Sequence, residues 1–102
     1  MKELKHPSVD EITLTGVLYA LGDPVRLSIV EAIFRCHEKR CGGFNIPLSK
    51  STLTHHFRTL RDAGIIHVRI DGTQRIITLR TDDLNKRFPG LLSSILKSIG
   101  KK

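Results

Sequence analysis

The side chains best equipped for chemistry in this 102-residue chain fall in two short stretches. Cys36, His37 and Cys41 supply sulfur and nitrogen donors soft enough for Zn²⁺ or As(III), and two thiols so close in sequence also suit a redox pair. These three stand on an irregular segment with Gly42, Gly43 and Pro47 and have no second close pair. Inert thiols are therefore the plainer reading, and metal, metalloid or oxidant sensing through Cys36 and Cys41 is the alternative. His55 and His56 are adjacent, and consecutive helical residues point about 100° apart, so the two do not chelate one ion. His55 is expected to face outward and His56 to pack or cap. No set of nucleophile, base and orienting group assembles from the Ser, His and Asp positions, so neither an enzyme nor a bound cofactor is expected.

What remains is a binding surface. Ser49 can cap a helix in which Leu53, Phe57 and Leu60 recur at i, i+4 and i+7, an apolar stripe facing a core, and Gly64 ends it. Ser51, His55 and Arg58 fall on the opposite side, Thr52 and Thr54 flank them, and Lys50 opens the helix. Short hydroxyls allow close approach to phosphates, while Arg and His reach base edges or backbone oxygens. An ordinary amphipathic helix with a solvated face has the same pattern, so the helix alone does not decide. Charge placement adds to it. The net charge of +7 is uneven: residues 1–49 hold as many acidic as basic groups, while residues 50–80 hold six Lys and Arg against two Asp. Such an excess on one segment is the electrostatic footprint of a polyanion partner.

The sequence after this helix reads as two β-branched runs, 65–70 and 73–79, around an Asp71-Gly72 turn, a strong hairpin signal. A hairpin directly after such a helix is a wing, and Arg69, Gly72 and Arg75 stand on it. Upstream, Ser8 and Glu11 form a capping box that opens a first helix down to Gly22, with Leu14, Val17, Leu18 and Leu21 at helical spacing. Asp23-Pro24 starts a second over 25–35, with Leu27, Val30, Ile33 and Phe34 mostly inward and Arg26 projecting near its start. There a phosphate would meet both the guanidinium and the helix N-terminus, or Arg26 would pair with Glu31. A short third helix is expected near Lys39 to Phe44, anchored by Phe44, Ile46 and Leu48, because a helix-turn-helix needs a supporting element behind its reading helix. Thr81-Asp-Asp-Leu84 reads as a cap, Pro89 breaks or restarts the helix that follows, and Leu92, Ile95, Leu96 and Ile99 form its stripe.

The order Leu21-Gly-Asp-Pro-Val-Arg-Leu27, Leu48-Ser-Lys-Ser-Thr-Leu-Thr-His-His-Phe57, Leu60-Arg-Asp-Ala-Gly-Ile65 and the Gly72 wing resembles the ArsR-type winged helix-turn-helix repressors over about Gly16 to Leu79. The resemblance implies a mainly α fold with one β-hairpin, in the order α-α-α-α-β-β-α. It also implies double-stranded operator DNA as partner and dimerisation through the first and last helices, here 8–22 and 82–100. The best-known metal-sensing members carry Cys-Val-Cys in the third helix. This chain has Cys41 alone there, and its last helix lacks the acidic and histidine ligands of the zinc-binding members. An RNA-binding or protein-interaction winged helix is the other class the basic wing fits, although Tyr19 and the four Phe residues mostly fall in core registers.

One domain over 1–102 fits this length, small enough that dimerisation would help stabilise it. With 39% hydrophobic and 26% charged residues the composition is that of a soluble globular domain. No long apolar run or secretory signal pattern is present, which points to the cytoplasm, reduced thiols and no membrane partner. The inducer and the operator sequence have no signature in these residues.

Overall fold

Thr13, not Ser8, starts the first α-helix. The computed structural model describes residues 4–36, 38–40 and 48–99. The Ser8–Glu11 pair does close, with the Ser8 N–H donating to Glu11 Oε1 at 2.8 Å. That turn is only the three-residue 3₁₀ segment Val9–Glu11, and the chain leaves it extended at Ile12. Hydrogen bonds from Ser8, the backbone one foremost, hold the Glu11 carboxyl below its ordinary pKa. Ile12 is 1% exposed and fills the core, which a helix running on from Ser8 would not allow it to do in this position. Helix α1, Leu14–Leu21, follows with the Thr13 hydroxyl accepting from Gly16 N–H at 3.1 Å. The expected helix 8–22 is thus two pieces.

Helix α2, Pro24–Cys36, is the centre of the molecule. Asp23 caps it, its Oδ2 accepting from Arg26 N–H at 3.1 Å. Ile29, Val30 and Ile33 are fully buried, and α2 packs on α1, on the later helices α3 and α5, and on the sheet. Phe34, expected inward, is 50% exposed because it falls on the flank that leaves this packing.

The expected third helix is corrected where it is described. Glu38–Arg40 forms a strand, β1, rather than the start of a helix, with Lys39 paired to Ile77 and Arg40 to Ile76. An open sheet edge offers a row of unpaired backbone groups, and a three-residue extended segment satisfies it. The rest of the expected helix, with Cys41, Phe44 and Ile46, lies outside the described residues.

Helix α3, Lys50–Asp62, matches the sequence reading closely, with Ser49 as N-cap. Leu60 is fully buried, and Leu53 and Phe57 pack on the core half-buried. Beyond it Gly64 adopts φ +84°, and a Cβ there would meet Ile12 Cγ1 at 2.5 Å. Both the left-handed backbone and the approach of Ile12 require glycine. Strands β2, Ile66–Asp71, and β3, Gln74–Leu79, then form the hairpin. Asp71 pairs with Gln74, so the two-residue loop is Gly72-Thr73. The turn lies one residue later than Asp71-Gly72, with Gly72 supplying the positive φ of +63° at its first position. The sheet order is β1-β3-β2, which makes the hairpin part of a three-stranded sheet.

Helix α4, Thr81–Arg87, is capped at Arg80 without a side-chain bond, so Thr81 lies inside the helix rather than at its cap. Arg80 instead pairs with Asp83 at 3.0 Å and donates to the Pro7 carbonyl at 2.7 Å. Arg87 reaches back to the Ile12 carbonyl at 2.7 Å. Pro89 and Gly90 separate α4 from α5, Leu91–Ile99, so the segment 82–100 is two helices with the break at Pro89, where the sequence places it.

The residues before α1 strap the open edge of β2. His6 Nε2 accepts from Val68 N–H at 3.0 Å, its Nδ1 donates to the Leu4 carbonyl at 3.0 Å, and its ring stacks on His67 at 4.3 Å. A backbone N–H only donates, which fixes this tautomer. Burial first, then the neighbouring His67, lowers the His6 pKa, with Arg61 and Arg80 adding to the effect. The unfolded chain therefore takes up the proton first as pH falls. The strap contributes fully above the ordinary histidine value of 6.5, and its contribution is lost as pH drops through the lowered folded value. Hydrogen exchange at the Val68 amide, corrected for its intrinsic rate, should lose protection as pH falls below 6.5, whereas in His6→Ala protection should be low throughout.

Candidate nucleic-acid interface

The orientation of α3 is set from behind by a buried arginine. Arg26 is 8% exposed. Its Nε donates to the Ala20 carbonyl, Nη2 to the Tyr19 carbonyl at 3.4 Å, and Nη1 lies 3.2 Å from His56 Nδ1. Arginine has no acceptor, so Nδ1 accepts. The guanidinium also lies over the Tyr19 ring at 5.6 Å. Arg26 thus joins the negative end of the α1 dipole to the inner side of α3. It does not project toward a phosphate, and Glu31 pairs with Arg35 rather than with it. His56, with a 12% exposed side chain, is the packed histidine expected from the sequence, and Asp23 Oδ2 lies 3.8 Å from its Nδ1.

The outer side of α3 is as the sequence placed it. Lys50, Ser51, Thr52, Thr54, His55 and Arg58 are all exposed. Ser49 Oγ accepts from Thr52 N–H at 3.3 Å and lies 2.8 Å from the Thr52 hydroxyl and 3.3 Å from that of Ser51. These three hydroxyls form one polar cluster at the helix start, where the positive end of the dipole favours an anion.

The wing splits its two cations. Paired residues in an antiparallel sheet share a face. Ile70 pairs with Arg75 and Val68 with Ile77, all toward α3, whereas Arg69 pairs with Ile76 on the opposite face. Arg75, Arg58 and Thr54 therefore line one cleft between α3 and the hairpin, and Arg69 does not join them. Gly72 stands at the tip with open space around it. Sequence reasoning missed one member of the cleft, Arg61, which also lines it. The signal was available: Arg61 follows Thr54, Phe57 and Arg58 at helical spacing, on the side between the core stripe and the outer face. Of the six basic residues in 50–80, Arg61 is mostly covered and Arg80 is held by Asp83, with side chains 18% and 10% exposed. The footprint is carried by the other four.

Cys36 is exposed at the end of α2, and His37 and Cys41 lie outside the described residues. Among the described residues no group of three or more His, Cys, Asp or Glu side chains is placed to hold a metal ion, and no helix is long and apolar enough to cross a membrane.

An apolar-backed, hydroxyl-capped helix followed by a β-hairpin that a third, earlier strand joins is the winged helix-turn-helix architecture. The whole chain superposes on the crystal structure of the ArsR family transcriptional regulator RHA00566 with a TM-score of 0.64 at 16% identity, covering 96% of this chain and 100% of that one. In sequence it is 33% identical over 89 residues to the uncharacterized HTH-type transcriptional regulator YceK of Bacillus subtilis (strain 168), covering 84% of this chain and 89% of that protein. The chain belongs to the helix-turn-helix transcriptional regulators, with the ArsR-type fold. No family model matches it.

Replacing Arg26 separates its structural role from phosphate contact. Arg26→Met should lower the unfolding free energy in urea by roughly 2–4 kcal/mol, since it strands the buried Ala20 carbonyl and the His56 acceptor. It should leave the slope of nucleic-acid affinity against salt unchanged, whereas loss of a phosphate contact would flatten that slope.

Proposed function

We propose that the protein is a cytoplasmic, homodimeric repressor that binds double-stranded operator DNA through the outer face of α3 and the wing and is released by a signal. The observation that carries the reading is the division of α3 itself. Its inner side is locked by Leu60 and by the Arg26–His56 contact, while Ser51, Thr52, His55 and Arg58 are exposed on the outer side of a helix that carries no acidic residue before Asp62. A rigid helix with short hydroxyls at its N-terminal end and longer donors further on suits a major groove. Ser49 and Lys50 at its start, and Arg69, Gly72 and Arg75 on the wing, are the positions for backbone contacts.

Arg58→Ala and His55→Ala should weaken operator binding most, by ~1–3 kcal/mol where a base contact is lost. Arg69→Ala should weaken all duplexes alike and reduce the salt slope by about one. Fluorescence anisotropy with operator, with unrelated duplex and with single-stranded RNA measures both effects. Parental affinity in all three variants would refute the assigned face, and preference for the single strand would favour the RNA-binding reading.

Dimerisation is supported by apolar surface that this chain leaves uncovered. Leu14, Leu18 and Tyr19 on α1 are 45%, 49% and 73% exposed. On α5, Leu92 is buried within the chain, but Leu91, Ile95, Leu96 and Ile99 are only partly covered. Two such edges close under two-fold symmetry, and operator half-sites ~34 Å apart require two linked reading helices. Sedimentation should give a dimer at micromolar concentration. Leu14→Glu/Leu18→Glu, which changes no core residue, should give a folded monomer with poor operator affinity.

For the signal, thiol chemistry at Cys36 and Cys41 is the reading with support on the chain. Cys36 is exposed two residues before β1, which pairs with the wing strand β3.

A further inference from the structure

Where α2, α4 and α5 come together, a groove of about 370 Å³ stays open. Its apolar lining is Phe34 near the end of α2 with Leu92 and Leu96, one turn apart on α5. Leu92 is buried and anchors α5 to the core. Phe34, by contrast, is 50% exposed and Leu96 is only partly covered, so apolar surface faces water along this side of the groove. The chain's own packing leaves half of the Phe34 side chain unused.

The rest of the lining is polar. Thr81 and Asn85 stand one turn apart on α4, and Ser93 and Lys97 one turn apart on α5. All four are exposed, and their side chains make no hydrogen bond or ion pair among the described residues. Each has a proton to donate, and Lys97 carries the one formal charge on the groove's described lining. No carboxylate lies there, and Asp83, also on α4, is held by Arg80.

This groove is separate from the edge that serves dimerisation. Leu91 and Ile95 on α5 stand with Val17 and Leu21 of α1. Ser93 and Lys97 each follow two residues later, about 200° round the helix, and open on the side away from α1.

We propose that the groove binds a small amphipathic monocarboxylate, whose head meets Lys97 and the neutral donors beside it and whose apolar tail covers Phe34 and Leu96. The tail follows from the exposed apolar side, which a bare oxyanion would leave in water. The head follows from the donor set, because four donors and a positive charge with no carboxylate among them match an anion. The volume sets the size: it lies near the lower end of the roughly 300–1,000 Å³ of small-molecule sites, which suits one short chain. If α1 and α5 close a DNA-binding dimer, a ligand seated between α2 and α5 alters how those helices meet and so the spacing of the two reading helices. That consequence rests on the proposed function; binding itself does not.

The test is therefore made without DNA. The ¹⁵N-labelled protein is titrated at constant pH and ionic strength with octanoate, with octanol and with acetate. Octanoate should give saturable amide shifts clustered at Phe34, Asn85 and residues 92–97. Octanol, which keeps the tail and loses the charge, should bind about fivefold more weakly, the loss expected for an exposed ion pair. Acetate, which keeps the charge and loses the tail, should not saturate. Phe34→Ser and Lys97→Gln, both at exposed positions, should each weaken octanoate by about fivefold. Leu14→Glu/Leu18→Glu should leave octanoate affinity unchanged whether or not the chain dimerises. Absence of saturable shifts with octanoate, equal binding of octanol, saturation by acetate, or parental affinity in either groove variant would each overturn the proposal. So would loss of binding in Leu14→Glu/Leu18→Glu, or shifts that follow Leu14, Leu18 and Tyr19 instead of the groove.

Discussion

The guanidinium of Arg26 is the interaction on which the reading surface depends. It sits where α1 ends, α2 begins and α3 passes behind, and it meets α1 with two nitrogens and α3 with the third. The Ala20 carbonyl at the end of α1 needs a donor because no further helical turn supplies one, and a buried guanidinium needs acceptors. Each requirement meets the other. The helix that faces outward is thereby oriented by a polar contact rather than by apolar packing alone, which tolerates sliding. Apolar burial through Leu60, Ile29 and Ile33 supplies cohesion, and Arg26 supplies the angle.

Much of this was legible in the chain. The periodicity of α3, its Ser49 cap and its stop before Gly64 all stood as read, because local capping, pattern and backbone preference agree there. The departures share a cause, which is that tertiary partners outbid local signals. Ser8 and Glu11 form the capping pair the sequence advertises, yet Ile12 is drawn into the core and ends the turn after three residues. Lys39 and Arg40 have no strand-like composition, and they form one because β3 presents an open edge beside them. The hairpin loop lies one residue on because the register pairs Val68 with Ile77 in the core.

The site was legible as a list of residues and not as an arrangement. Arg26 reads as a free cation at a helix N-terminus, and nothing in its neighbours announces that Ala20 and His56 converge on it. Arg69 and Arg75 look equivalent in sequence, yet the pleat sends them to opposite faces, so Arg75 joins Arg58 and Arg61 in the cleft and Arg69 does not. Convergence of side chains from α3 and β3 is a long-range fact, carried by the strand pairing rather than by any local spacing.

The strap that His6 lays over β2 bears on how the protein behaves in bulk. β2 is the outer strand of the sheet, and the Val68 N–H that His6 occupies is a donor that another chain's extended segment would otherwise recruit. A single imidazole is thus a guard against intermolecular strand addition, and its protonation withdraws the guard while the rest of the sheet is intact. Mild acid should therefore convert part of a concentrated solution into sheet-linked aggregates before it unfolds the domain, which makes storage and purification near neutral pH a requirement set by one side chain.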